Sequence, residues 1–128
     1  MINYRADTVE YYDKIEDLLV ETDLVEADVH VLGWRRKFRI RALTFKQQGS
    51  ISKKSLDEKT GSLVEEDHAV WTLVYGLVRP AVNEIQAREL LNKNGENVKA
   101  LVDEIWQIGR ISKAVWDAFV EETKTAKE

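Results

Sequence analysis

The chain of 128 residues has no cysteine, one proline and two histidines. Without cysteine there are no disulfides and no thiolate metal sites, a usage that fits a reducing cytoplasm. His30 and His68 are too few for a histidine-rich metal centre. No apolar run exceeds a few residues, so no stretch reaches the length of a bilayer-spanning helix. The first residues, Met1-Ile2-Asn3-Tyr4-Arg5-Ala6-Asp7, lack the basic-then-apolar pattern of a secretory leader. No Gly-x-Gly-x-x-Gly, Walker-type loop or Gly-x-Ser-x-Gly elbow occurs, which disfavours a phosphate cradle and an α/β-hydrolase nucleophile. What remains is 44% hydrophobic and 33% charged residues, the balance of one small globular domain.

The net charge of -4 conceals a segregation. Residues 1–30 hold nine acids against Arg5 and Lys14, whereas residues 31–54 hold eight bases and no acid. Opposite charge in adjacent segments suggests that they meet, within one chain or between chains; solvated faces of opposite sign are the plainer alternative.

Residues 1–24 read as an acidic helical arm. Thr8 is predicted to cap a helix to about Val20, with Tyr11, Ile15, Leu18 and Leu19 as a narrow apolar stripe. From Val25 the period drops to two. Val25, Ala27, Val29 and Val31 alternate with Glu26, Asp28, His30 and Leu32; after Gly33-Trp34, Phe38, Ile40 and Ala42 alternate with Lys37, Arg39 and Arg41. This predicts a β-hairpin over 25–42, with Glu26, Asp28 and His30 opposite the cations. Capping boxes are predicted at Thr44/Gln47, Ser62/Glu65 and Asn83/Gln86. The second opens a helix that carries Val64, Trp71, Val74, Tyr75 and Val78 as far as Pro80. Asn94-Gly95 reads as a helix stop. Val98, Leu101, Val102, Ile105 and Trp106 form the clearest amphipathic stripe, closed by Gly109. Ser112 starts a last helix with Val115, Trp116, Phe119 and Val120. The expected fold is α+β and predominantly α-helical: an N-terminal β-hairpin followed by a bundle of four to five helices, in one globular domain over 25–122. Residues 123–128 are expected to fray.

Candidate chemistry is sparse. Glu65-x-x-His68 is half of a di-iron carboxylate pattern, but the second half is missing, and acids in a helix first turn are explained by the cap and the dipole. No catalytic, cofactor-binding or metal-binding residues are assigned. The distinctive local feature is the basic run, and the candidate partner-binding surface is Trp34, Arg35, Arg36, Lys37, Arg39 and Arg41. A strand projecting alternate cations can track a phosphate backbone. An acidic chain with Phe38 on the core side speaks against nucleic acid and for neutralisation by the acidic arm or by an acidic protein partner. Trp71, Trp106 and Trp116 are expected in the core. Trp34, in a turn, is either an interface anchor or folded back on the strands.

Three stretches together resemble the small tail assembly chaperones of tailed phages and PBSX-type prophages. They are Val29-His30-Val31-Leu32-Gly33 through Lys37-Phe38-Arg39-Ile40-Arg41-Ala42-Leu43-Thr44-Phe45; Val74-Tyr75-Gly76-Leu77-Val78-Arg79-Pro80 with Ala87-Arg88-Glu89-Leu90-Leu91; and Asn97-Val98 through Leu101, Ile105-Trp106-Gln107-Ile108-Gly109 and Ser112. Order and spacing over about Val29 to Ser112 carry the likeness. Arg79 departs from it, since such proteins often have an acid before the proline. The resemblance implies a non-enzymatic helper in the cytoplasm of a host bacterial cell, commonly absent from the finished virion. Its partners would be the tape-measure protein and the tail-tube protein, with room for self-association. The alternative expectation is a small prophage nucleic-acid-binding or regulatory module that uses the basic hairpin.

Overall fold

The computed structural model describes residues 7–110, which fall into two units, residues 7–23 with Arg110 and residues Leu24–Gly109. The helix predicted from Ser112 and the polar tail lie outside the described residues.

In the first unit only Ile15–Leu19 is helical (α1), and Lys14 at its N-cap makes no side-chain capping bond. The helix from Thr8 is therefore corrected to a single short turn. Five residues cannot repay helix nucleation without an apolar face to pack. Here Ile15, Leu18 and Leu19 are all exposed, and the helix buries nothing.

In the second unit the hairpin forms as Glu26–Val29 (β1) and Phe38–Arg41 (β2), shorter than the alternation suggested. The strands are antiparallel, pairing Glu26 with Arg41, Ala27 with Ile40, Asp28 with Arg39 and Val29 with Phe38. Ile40 is completely buried, and its polar neighbours turn the other way, as a period of two requires.

Phe45–Ser55 (α2) opens on the predicted box: the Gln47 amide donates to Thr44 Oγ1, and the Thr44 amide to Gln47 Oε1, both at 3.0 Å. The next box fails. Glu65–Gly76 (α3) starts from Val64 with no side-chain cap. The chain from Ser55 to Val64 is drawn into extended pairing instead: the Val64 amide donates to the Ser55 carbonyl, the Asp57 amide donates to the Ser62 carbonyl, and Leu56 bridges Leu63.

The predicted helix to Pro80 is also corrected. It ends at Gly76, and Leu77–Arg79 becomes a third strand (β3) on the free edge of β2, giving the order β1-β2-β3. Two local preferences favour the switch. Glycine is a weak helix former, and a residue before proline is pushed out of the helical region. Leu77, opposite Ile40, goes into the core, while Val78 turns outward.

Glu84–Leu90 (α4) carries the predicted Asn83/Gln86 box. Asn94 does not end this helix but caps the next, Gly95–Ile108 (α5), accepting from the Glu96 and Asn97 amides. Gly109 closes α5 as expected. The result is a helix-dominated α+β fold with an N-terminal hairpin. Its core gathers Ile40 of β2, Ile51 of α2, Val70 and Leu73 of α3, Ala87 of α4, and Leu101 and Ile105 of α5. Trp71 and Trp106 are half-buried against this cluster rather than inside it.

Candidate functional site

The eight residues between the hairpin strands set the site. Gly33 adopts φ +97°, a left-handed conformation that side chains rarely tolerate. A Cβ there would lie 3.3 Å from Asn97 Nδ2, so the loop runs close along α5. The Trp34 amide donates to the Val31 carbonyl at 3.1 Å, and His30 Nε2 donates to the Trp34 carbonyl at 2.7 Å. His30 is thus used within the loop, not opposite a cation as predicted. Trp34 folds back, its ring 5.5 Å from that of Phe38 and tilted by 57°. It forms an edge of the core rather than a projecting anchor.

The predicted cross-strand charge pairing holds for Glu26 and Asp28. Lys37 Nζ lies 3.1 Å from Asp28 Oδ2, Arg39 Nη1 lies 3.2 Å from Asp28 Oδ1, and Arg39 Nε lies 3.3 Å from Glu26 Oε1. The hydrogen bonds from Lys37 and then Arg39 hold the Asp28 carboxyl below its ordinary range, while Asp28 and then Glu26 raise the Arg39 guanidinium. Arg41 is half-buried, and its Nε is enclosed without a hydrogen-bond partner.

The six candidate residues therefore separate. Lys37 and Arg39 are answered by carboxylates of β1, and Arg41 lies at the other end of the hairpin. Arg35 and Arg36 are exposed and make no ion pair among the described residues. A cation missed in the sequence joins them. Arg79 of β3 pairs in register with Arg39, which brings it to the same groove. The groove encloses about 910 Å³ between Trp34, Arg35, Arg36, Lys37, Phe38, Arg39, Arg79, Pro80 and Asp28. Its signal in the sequence was Arg79-Pro80, since the proline forces its predecessor toward extended backbone.

The second ion cluster is architectural. Arg88 of α4 bridges Asp67 of α3 at 3.0 Å and Glu84 at 3.0 Å, with Glu66 at 3.7 Å. His68 is likewise occupied in packing: its ring stacks on Trp106 at 5.3 Å, and Trp106 Nε1 donates to Thr72 Oγ1 at 2.9 Å. Among the described residues no three His, Cys, Asp or Glu side chains come together as a metal-binding set. No helix among them is long and apolar enough to cross a membrane.

No family model, curated protein or solved structure matches the chain. The groove's own chemistry is then the guide. Guanidinium groups bind carboxylates through paired N–H donors, and the Trp34 edge and Pro80 supply an apolar wall. Such a groove suits an acidic peptide segment with apolar side chains between its charges.

Proposed function

We propose that this protein is a tail assembly chaperone of the tailed-phage and PBSX-type prophage kind. In this reading it is a non-enzymatic factor that binds the tape-measure protein in the host cytoplasm and assists tail-tube assembly. The class rests on the sequence resemblance. The observation that carries a binding role is the hairpin groove, where Arg35, Arg36 and Arg79 converge without carboxylate partners among the described residues.

The physical logic concerns a long helical partner. A tape-measure protein exposes apolar stripes and charged flanks until the tube encloses it, and a bound helper covers them meanwhile. Co-expression tests this: the tape-measure protein of the same genome stays soluble with the chain present and precipitates without it. Equal precipitation in both cases contradicts the proposal.

The competing use of the same cations is a nucleic-acid backbone. Trp34 and Phe38, the two rings beside these cations, pack on each other and against the core, which disfavours base stacking in the groove. Binding to single-stranded DNA or RNA that weakens steeply with salt, together with failed co-expression, would favour that use.

A further inference from the structure

We infer that the arginine groove of one copy receives the acidic arm of a second copy, in a reciprocal exchange that makes the chain a salt-sensitive dimer. The exchange uses the same groove as the proposed partner binding, but it is tested on the isolated chain with no tape-measure protein present, so the two can fail separately.

The arm and the groove are chemical complements. Between Asp7 and Asp23 the arm carries seven acids and one base, Lys14. It also leaves large apolar side chains in solvent: Tyr11 is 93% exposed, Leu19 73% and Val20 80%. Exposed apolar side chains concentrated in one short segment mark a surface that binds something. The groove offers what they lack: Arg35, Arg36 and Arg79 without carboxylate partners among the described residues, beside an apolar wall of Trp34 and Pro80.

Glu10-Tyr11-Tyr12-Asp13 brackets two aromatic rings with two carboxylates. A guanidinium can pair with the carboxylate and lie over the neighbouring ring, so one arginine meets both features. A second copy is the occupant for two reasons. Both halves of the complement are present at equal concentration in any solution of the chain. Reciprocal exchange also buries two arms about a two-fold axis, doubling the contact toward the roughly 1,200–2,000 Å² of a stable interface.

Sedimentation of the full chain at low and high salt tests the exchange, with two charge reversals. One reverses the groove (Arg35→Glu, Arg36→Glu, Arg79→Glu) and the other the arm (Glu10→Arg, Asp13→Arg). The wild type is expected to dimerise at micromolar concentration in low salt and to loosen as salt rises. Each reversal alone places like charges together and weakens the dimer by about tenfold or more. An equimolar mixture of the two variants restores it, because each reversed groove then meets a reversed arm. That rescue separates lost contact from misfolding. A monomeric wild type, a dimer indifferent to both reversals, or a mixture that stays monomeric overturns the inference.

Discussion

Arg39 and Arg79 are register partners on β2 and β3, and only Arg39 has carboxylates of its own within hydrogen-bonding reach. Like charges set opposite on neighbouring strands oppose folding. A chain selected for stability alone would gain by placing an acid at position 79. Arg79→Glu is therefore expected to raise Tm by roughly 1–3 °C while weakening whatever the groove binds. A fall in Tm, or unchanged binding, contradicts this view of Arg79.

Gly76 sits where α3 gives way to β3, and its backbone closes on α5. A Cβ there would come within 2.9 Å of Ile105 Cδ1 and nearer still to Cγ2, inside a buried contact. Gly76→Ala should cost about 1–3 kcal/mol by urea denaturation, and Ile105→Ala, which removes both γ carbons and Cδ1, should make the double variant lose less than the sum of the two single losses. Full additivity of the two losses would show that the residues do not share the space.

Thr72 is buried, its hydroxyl donating to the His68 carbonyl at 2.8 Å and accepting from Trp106 Nε1 at 2.9 Å. Thr72→Val keeps the shape and leaves the indole N–H without its partner. About 1–3 kcal/mol of stability should be lost, with a change in the near-ultraviolet circular dichroism of Trp106. No change in either would place the indole N–H in water.

The caps give a paired comparison. Thr44→Ala and Asn83→Ala should each cost about 1 kcal/mol, whereas Ser62→Ala should stay within about 0.5 kcal/mol. An equal loss at Ser62 would restore the capping box that the extended pairing of Ser55–Val64 displaces.

These caps also show how far local pattern reaches. Thr44/Gln47 and Asn83/Gln86 were legible because nothing else competes for their backbone. Ser62/Glu65 has the same residue types, but Leu56 and Leu63 pair across the preceding loop and start the helix later. The hairpin, its apolar and charged faces and the pairing of Glu26 and Asp28 with cations follow from parity; the register itself does not. The strand Leu77–Arg79 did not. It exists because β2 has a second edge to fill, a tertiary demand invisible in a window that otherwise reads as helix. With that strand went Arg79, so the groove was only half visible: the basic run was plain, the neutralisation of Lys37 and Arg39 was foreseeable, and the third free arginine was hidden. The arm's helical stripe yields only Ile15–Leu19, since spacing cannot tell whether a partner face exists.

Asp28 supplies a pH dependence. Lys37 and Arg39 hold its folded-state carboxyl below the ordinary value, so the folded chain binds that proton less readily than the unfolded one. The stabilisation is complete above the usual carboxylate range and disappears as pH falls through the depressed value. It is small, because the pair is exposed and screened by salt. From about pH 6 to about pH 2, the wild type should lose more of its urea midpoint than Asp28→Asn. Identical slopes would mean that the ion pair contributes nothing in solution.

The direct test of the groove as the binding surface of the proposed chaperone role is the soluble yield of the tape-measure protein co-expressed with wild-type chain or with Arg35→Glu/Arg36→Glu. These side chains are exposed and outside every ion pair among the described residues, so the variant should fold as the wild type does. A soluble tape-measure protein with the wild type and an insoluble one with the folded variant is the predicted result. Equal solubility with both would contradict it.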